Sequence, residues 1–222
     1  MKRLLLFVAL VYVFVTAPCY ALSAPTFIPT YEEINYQAFK NCKNRSSEKF
    51  EKIHHDMLRT MIEVEKSFGV PAELRGMLLA AACSESGYNP KAKGDYRISK
   101  RTGKKQARAI GILQQWPWYE RYYEMDRSVP KQAMTSWMQH IYKQLPKVKT
   151  RCKIPSYKTK TLWVAAGVHA IRAPKEGGRC LETPLHYRIL KKWHKNILKQ
   201  RELDVQNQES RLPEEQHYIP GC

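Results

Sequence analysis

The sequence predicts a mainly α fold with about six helices around a groove and one small β-hairpin. Between Phe50 and Ile197, apolar residues recur at spacings of three and four, which places them together on helix faces. Long runs that alternate apolar and polar residues, the pattern of half-buried strands, do not occur. The hairpin is expected near Arg97–Arg108, where Gly94 and Gly103 favour turns. At 222 residues, the chain is long enough for one domain with a hydrophobic core.

The first 24 residues have the order of a secretory signal peptide. Two basic residues precede the apolar run Leu4–Val15, and small residues follow as far as Ala24. This run is shorter than a typical transmembrane helix. Cys19 suggests a lipoprotein anchor, but Pro18 before it fits a lipidation signal poorly. We therefore expect a periplasmic or secreted protein with no stable membrane insertion once the leader is removed.

The rest of the chain divides into three parts. Residues 25–45 are expected to form an N-terminal surface segment, residues 46–199 the folded domain, and residues 200–222 a polar C-terminal tail. The domain begins at Ser46, which can cap the first long helix. It ends before Gln200, after which polar residues dominate.

The chain is strongly basic, with a formal net charge of +18 at pH 7. Because Lys2 and Arg3 are the only charges in the leader, its removal leaves +16. Such a charge favours anionic partners, which include nucleic acid, anionic lipid and anionic cell-wall polymers. The expected export favours a cell-wall polymer and argues against nucleic acid.

Two helices are predicted in the first half of the domain. The apolar face of the first consists of Phe50, Ile53, Met57, Met61, Val64 and Phe68, and Gly69 ends it. The second begins at Pro71 and ends before Asn89-Pro90, since proline and the residue before it disfavour helix. One face of the second helix carries Leu74, Leu78, Ala81 and Glu85. That face is otherwise apolar and should point at the core.

Three helices are predicted in the second half. The first carries Met134, Trp137, Met138, Ile141 and Leu145 between Pro130 and Pro146. The second carries Leu162, Ala165, Ala166 and His169 before Pro174. The third is capped by Thr183-Pro184 and turns Leu185, Ile189, Trp193 and Ile197 inward.

Glu85 is the strongest candidate for a catalytic group. It is expected on the buried side of its helix, where apolar surroundings disfavour the charged carboxylate. The negative end of the helix dipole acts in the same direction. A carboxylic acid that keeps its proton near neutral pH can protonate the leaving oxygen of a glycoside.

Two motifs identify a related family. Glu85 opens the stretch Glu85-Ser86-Gly87-Tyr88-Asn89-Pro90, and a short connection leads to Ala109-Ile110-Gly111-Ile112-Leu113-Gln114. Together they resemble the soluble lytic transglycosylase family of the lysozyme-like superfamily, over about Phe50 to Trp193. The family's third motif, Ala-Tyr-Asn-Ala-Gly, has its nearest counterpart at Val164-Ala165-Ala166-Gly167 or at Val168-His169-Ala170, neither of which contains the Tyr-Asn pair.

The resemblance implies an α+β lysozyme-like fold and a single catalytic glutamate. Glu85 would act as acid and then as base, breaking the MurNAc-GlcNAc β-1,4 bond of peptidoglycan and leaving 1,6-anhydro ends without a cofactor. The implied substrate-binding residues are Ser86, Tyr88 and Gln114. Trp116 and Tyr119 follow Gln114 in an aromatic stretch and are expected to stack on sugar rings, although core packing is expected for two or three of its five aromatic residues.

Two alternatives stay open. A hydrolytic lysozyme would need a second carboxylate to hold water or to form a covalent intermediate, and Asp95 in the expected hairpin is the candidate. The other alternative is a non-catalytic, secreted basic protein that binds the cell wall. The basic residues near Asp95 also have two interpretations, a solvated loop or a rim that attracts anions.

The cysteines predict disulfides, because six in one exported chain are typical of an oxidising compartment. We expect Cys152 and Cys180 to be bridged, since they flank one predicted helix. Cys42 with Cys222 is a weaker pairing, and Cys83 is expected to be a free thiol packed in the core. The seven histidines show no metal-binding spacing, so no metal site is predicted.

Overall fold

The computed structural model of the protein describes residues 27–42, 48–168 and 185–210. Within them it contains seven α-helices, one short 3-10 helix and one two-stranded antiparallel sheet. In chain order these are α1 Tyr31–Asn41, α2 Glu48–Ser67, the 3-10 helix Ala72–Leu74, α3 Met77–Ser86, β1 Lys93–Ile98, β2 Lys105–Ile110, α4 Pro117–Tyr123, α5 Pro130–Arg151, α6 Thr159–Val168 and α7 Leu185–Glu209. The mainly α class and the small hairpin are confirmed.

Helix α3 lies in the middle of the core. Its first six residues, Met77 to Ala82, are all buried, as expected for a helix that is apolar on every side. Helices α1, α2 and α7 pack against it, and α5 packs against α2 and α6. The core around α3 includes Ile34, Leu58, Met61, Met138, Leu190 and Trp193. The helix that carries Glu85 is therefore held from several directions.

Helix α3 begins at Met77, six residues after the predicted start at Pro71. The 3-10 helix Ala72–Leu74 follows Pro71, and Gly76 then adopts φ +87°. A Cβ atom at position 76 would overlap the side chain of Ile34, so only glycine fits this sharp change of direction. The prediction of one continuous helical face running from Leu74 to the end of α3 is wrong.

The predicted surface segment 25–45 contains a helix that contributes to the core. Helix α1 begins with a capping box formed by Thr30 and Glu33. Ile34 and Ala38 on its inner face are fully buried, and α1 packs against α7. This part of the chain is therefore integral to the described domain.

Helices α5 and α7 both extend beyond their predicted ends. Pro146 lies inside α5, although a proline in a helix loses one backbone hydrogen bond. Val148 beyond it is fully buried, so packing favours continuing the helix. Helix α7 reaches Glu209 and enters the expected tail, where Arg201 forms an ion pair with Glu33.

The disulfide pattern differs from the prediction. Cys42 at the end of α1 is bonded to Cys83 in α3, with the two Cα atoms 5.6 Å apart. Cys83 is therefore not a free thiol, and Cys42 is not paired with Cys222. The α1–α3 contact that joins them comes from tertiary packing. Cys152 is also disulfide-bonded, while its expected partner Cys180 lies outside the described residues.

Residues 1–26, which include the expected signal peptide, and residues 43–47, 169–184 and 211–222 lie outside the described residues. In the part of the chain that the structure describes, no helix is long and apolar enough to span a membrane. Disulfides are typical of proteins that fold in oxidising compartments.

Candidate active site

The two sequence motifs meet in the structure. Ser86, the last residue of α3, donates a hydrogen bond from its hydroxyl group to the backbone carbonyl of Ile112, with an oxygen–oxygen distance of 2.7 Å. Ile112 lies in the turn that follows β2. This contact fastens the end of the helix that carries Glu85 to the turn that carries Gln114.

Helix α3 ends on two left-handed residues, Gly87 with φ +60° and Tyr88 with φ +66°. A positive φ is unfavourable for an aromatic residue. Tyr88 is held there because its side chain is almost fully buried and its hydroxyl donates to the Leu79 carbonyl at 3.1 Å. Tyr88 therefore supports the end of α3, and its burial leaves no surface for contact with a glycan in this conformation.

Glu85 itself is solvent-exposed, so the expectation that it lies on the buried side of its helix is wrong. It occupies the last turn of α3, where the helix leaves the core. Desolvation by the surrounding protein nevertheless raises the pKa of its carboxyl group, and the negative end of the helix dipole favours the same direction. The site thus combines access from solvent with a carboxyl group that retains its proton more readily than an isolated glutamate.

Tyr119 lies near Glu85 but is largely part of the core. Burial raises the pKa of its hydroxyl group, and the charges of Tyr123 and Glu85 raise it further. The ring is 4% exposed and stacks on Trp118, with centroids 3.9 Å apart. His140 completes this cluster, since its Nδ1 atom is 2.8 Å from the Tyr123 hydroxyl. Tyr119 therefore offers at most a small surface to a ligand.

The backbone conformation of the turn Gly111–Gln114 depends on the residue types at its four positions. Gly111 adopts φ +79°, and a Cβ atom there would overlap the carbonyl oxygen of Arg127. Ile112 and Leu113 are buried and anchor the turn. Gln114 adopts φ +45°, and its side-chain nitrogen Nε2 donates a hydrogen bond to the Gly111 carbonyl at 3.0 Å.

The side chain of Gln114 also lies against β1, because a Cβ atom on Gly94 would overlap its Oε1 atom. Gln114 therefore links the turn to the hairpin.

Trp116 is covered by cations from the hairpin. The guanidinium groups of Arg97 and Arg108 lie 5.6 Å and 5.4 Å from the centre of its ring, within cation–π range. Asp95, with φ +47°, is exposed and forms an ion pair with Arg97 at 3.7 Å. Asp95 lies between the paired positions Gly94–Ala109 and Tyr96–Ala107 of the hairpin. The hairpin thus presents a mixed aromatic and cationic surface that contains one of the predicted carboxylates.

Two supporting residues were missed by the sequence analysis. Arg127 is buried, donates from Nη1 to the carbonyls of Arg108 and Gln115 at 2.8 Å each, and pairs with Glu120 at 2.9 Å. No sequence pattern distinguishes it from the other basic residues. It holds the end of β2 and the start of α4 together.

Glu65 is the second missed residue. It is fully buried and accepts hydrogen bonds from the backbone N–H groups of Gly76 and Leu78 at 2.6 Å and 2.9 Å and from the Tyr31 hydroxyl at 3.2 Å. Burial raises its pKa to about 7. Glu65 lies four residues after Met61 and three before Phe68, so the sequence places an acid on the apolar face of α2. A charged residue on an otherwise apolar face was the sequence signal that could have identified it. Glu65 satisfies the N-terminal amides of α3.

The candidate third motif lies in α6, where Ala165 and Ala166 are fully buried. His169 lies outside the described residues. Among the residues that are described, no group of three or more His, Cys, Asp or Glu side chains could hold a metal ion.

The site can therefore donate a proton from Glu85 beside a turn fixed by Ser86 and Gln114, next to a cationic hairpin. Comparisons with family models, with curated proteins and with solved structures each found no match for this chain.

Proposed function

We propose that this protein is a peptidoglycan-cleaving lytic transglycosylase that acts outside the cytoplasm. The observation that carries the proposal is the state of Glu85, a solvent-accessible carboxyl group with a raised pKa at the end of a buried helix. The hydrogen bond from Ser86 to Ile112 supports it, because it joins the two motifs that resemble the family. The disulfide between Cys42 and Cys83 supports export.

In the proposed reaction, Glu85 serves first as acid and then as base. Its carboxyl group donates a proton to the oxygen of the MurNAc-GlcNAc bond as the C1–O4 bond breaks. The resulting carboxylate then accepts the proton of the muramyl 6-hydroxyl as O6 bonds to C1. The products are a GlcNAc hydroxyl and a 1,6-anhydro end. The reaction consumes no water and needs no second carboxylate.

The hairpin and the turn would bind the glycan strand. Trp116 is half-buried, and Arg97 and Arg108 lie over its ring. Aromatic rings suit the apolar faces of sugars, and guanidinium groups suit the carboxylates of murein peptides. Gln114 lies against β1 in the turn that Ser86 of α3 contacts, where it would help to orient the substrate.

The alternative is a hydrolytic lysozyme in which Asp95 assists Glu85. The exposed position of Asp95 on β1 favours this possibility, since a ligand could reach its carboxylate.

Mass spectrometry of products from purified murein tests the proposal. Anhydro ends would support the transglycosylase, and reducing ends would support the lysozyme. The Asp95→Asn variant sharpens the comparison, because it should retain most activity in the first case and lose nearly as much as a Glu85 variant in the second. Binding without any turnover would leave the third possibility, a non-catalytic wall-binding protein.

A further inference from the structure

A second concave site is formed by elements other than those that carry Glu85 and the hairpin. It lies between the start of α6, the 3-10 helix and the first turns of α7, and has a volume of about 500 Å³. Five cationic residues line it: Lys160, Arg188, Lys191, Lys192 and Lys195. Among its lining residues, Glu73 is the one carboxylate. The site therefore concentrates positive charge in a concave surface, where the attraction for anions is strongest.

The pocket continues into a basic stripe along α7. Its members are Arg188, Lys192, Lys195 and Lys199, which are all exposed and are spaced by four, three and four residues. This spacing keeps them on one helix face over about 16 Å. The opposite face carries Leu190, Trp193 and Ile197 into the core. The stripe is thus oriented outward by the packing of α7 and is long enough to contact several charges of one polymer.

His194 lies at the inner side of this pocket. Its Nε2 atom is 3.0 Å from the Arg75 carbonyl, and since a carbonyl can only accept, we place the proton on Nε2. Burial lowers the pKa of the imidazole, the hydrogen bond to Arg75 opposes this, and the nearby charge of Lys160 lowers it further. An anion that enters the pocket would favour the protonated imidazole and would raise this pKa.

We propose that this pocket and stripe bind a linear polyanion whose charges are phosphodiesters on a sugar or polyol backbone. Four of the five cations are lysines, whose compact charges on flexible stems suit singly charged groups spaced along a flexible chain, whereas the rigid fork of arginine, which pairs with two oxygens of one carboxylate or phosphate, occurs once in this pocket. Proteins that bind nucleic acid single strands add aromatic surfaces on which bases stack. The aromatic residue of this pocket, Tyr187, instead has the Lys191 ammonium 5.6 Å from its ring centre, which favours a polymer without bases.

The test uses the full chain and poly(glycerol phosphate) of defined length, with binding measured by calorimetry. The variant K160Q/K191Q/K195Q removes three charges from the pocket. The control K147Q/K149Q/K153Q also removes three exposed lysine charges, at Lys147 and Lys149 near the end of α5 and at Lys153 just after it. We expect at least a tenfold loss of affinity for the pocket variant, a smaller than threefold loss for the control, and a shallower salt dependence in the pocket variant.

Titration of His194 by NMR gives an independent measurement. Added polymer should raise the pKa of His194 in the wild-type protein and in the control, and should leave it unchanged in the pocket variant. Equal losses of affinity in both variants, or an unchanged His194 pKa, would overturn the site. Tighter binding of a DNA oligonucleotide of equal charge would overturn the polymer class. The probe contains no bond of murein, so these outcomes leave the proposed glycan cleavage untouched.

Discussion

Glu85 reaches its position because α3 leaves the core in its last turn. Residues Met77 to Ala82 are buried on all sides, while Glu85 is exposed and Ser86 hydrogen-bonds to the neighbouring turn. An acid must be accessible to a substrate and must also keep its proton. The end of a buried helix provides both conditions, since solvent reaches one side and protein desolvates the other.

Glu85→Gln should lower the rate of murein cleavage by about 10²–10⁴, because the amide retains the shape of the side chain but cannot transfer a proton. Binding to murein sacculi should stay near the wild-type level. Glu63→Gln, at an exposed position on α2, is the matched control and should keep full activity. A folded Glu85→Gln protein with the parental rate would refute the proposed chemistry.

Trp116→Ala should weaken the binding of murein oligosaccharides roughly 3–10-fold, as expected for loss of one aromatic contact, with little change in melting temperature. Tyr119→Ala is the contrasting variant. Since the Tyr119 ring is buried in the aromatic cluster, its loss should cost about 3–5 kcal/mol of stability. Calorimetric titration and thermal melts separate the two effects. If Trp116→Ala binds normally, its ring serves only to support Arg97 and Arg108.

At the scale of elements, α3 is fixed at both ends by contacts from distant parts of the chain. Glu65 of α2 caps its first turn, and Cys83 near its other end is bonded to Cys42 of α1. The turn after β2 holds its final residue. These contacts define the direction in which Glu85 leaves the core.

Replacement of both Cys42 and Cys83 by serine should destabilise the protein by about 4 kcal/mol in the chain-entropy description, because the bridge closes a loop with a sequence separation of 41 residues. The midpoint of urea unfolding should fall accordingly. Reduction of the wild-type protein should have at least as large an effect, since Cys152 is also disulfide-bonded. Unchanged unfolding of the double variant would show that packing alone holds α1 on α3.

Glu65 should make stability depend on pH. Its pKa is about 7 in the folded protein and 4.5 without the fold, so the folded state binds a proton that the unfolded chain has released. Its contribution is therefore fully present below pH 4.5 and is lost as the pH rises through 7, by roughly 3 kcal/mol. Glu65→Gln should remove this dependence.

The difference in unfolding free energy between the wild type and Glu65→Gln, measured from pH 4.5 to pH 8, isolates this effect from other groups. Glu33, for example, has a pKa lowered by its hydrogen bond with Arg201 and acts in the opposite direction. Parallel curves for the two proteins would contradict the role assigned to Glu65.

At the scale of the whole molecule, the dominant property is the net charge of +18. It is spread over the basic hairpin, the stripe on α7 and other exposed cations, and excess charge of one sign destabilises a compact state by self-repulsion. Ion pairs offset little of this repulsion, because exposed pairs contribute little to stability. Among the described residues, Arg127–Glu120 is the ion pair whose arginine is nearly buried. The net charge therefore makes the compact state sensitive to conditions that screen repulsion among the cations.

Raising NaCl from 20 mM to 300 mM should raise the melting temperature by a few degrees, because shortening the Debye length screens repulsion among the cations. The same change should weaken binding to anionic polymers. Differential scanning calorimetry and binding assays at matched pH measure the two trends. A melting temperature that falls with salt would mean that attractive ion pairs outweigh the net charge.

Local patterns in the sequence determined the fold class, the hairpin and the two motifs. Helix faces follow from a period of 3.6 residues, and turns follow from the backbone freedom of glycine and the restriction of proline. The approximate places of α2, α5 and α7 and the last turn before Asn89-Pro90 were predictable for that reason. The contact between the stretch that begins at Glu85 and the turn that ends at Gln114 was predictable only through the resemblance to a family.

Tertiary structure alone decided the contacts between distant segments. The Cys42–Cys83 bond, the cap that Glu65 provides for α3 and the burial of Arg127 each depend on which helix packs beside which. Helix α5 passes Pro146 because burial beyond it outweighs the lost hydrogen bond. Glu85 is exposed because α3 is surrounded along its length but not at its end. Periodicity specifies which face of a helix is apolar, whereas the neighbours that cover that face are set by the packing of the whole chain.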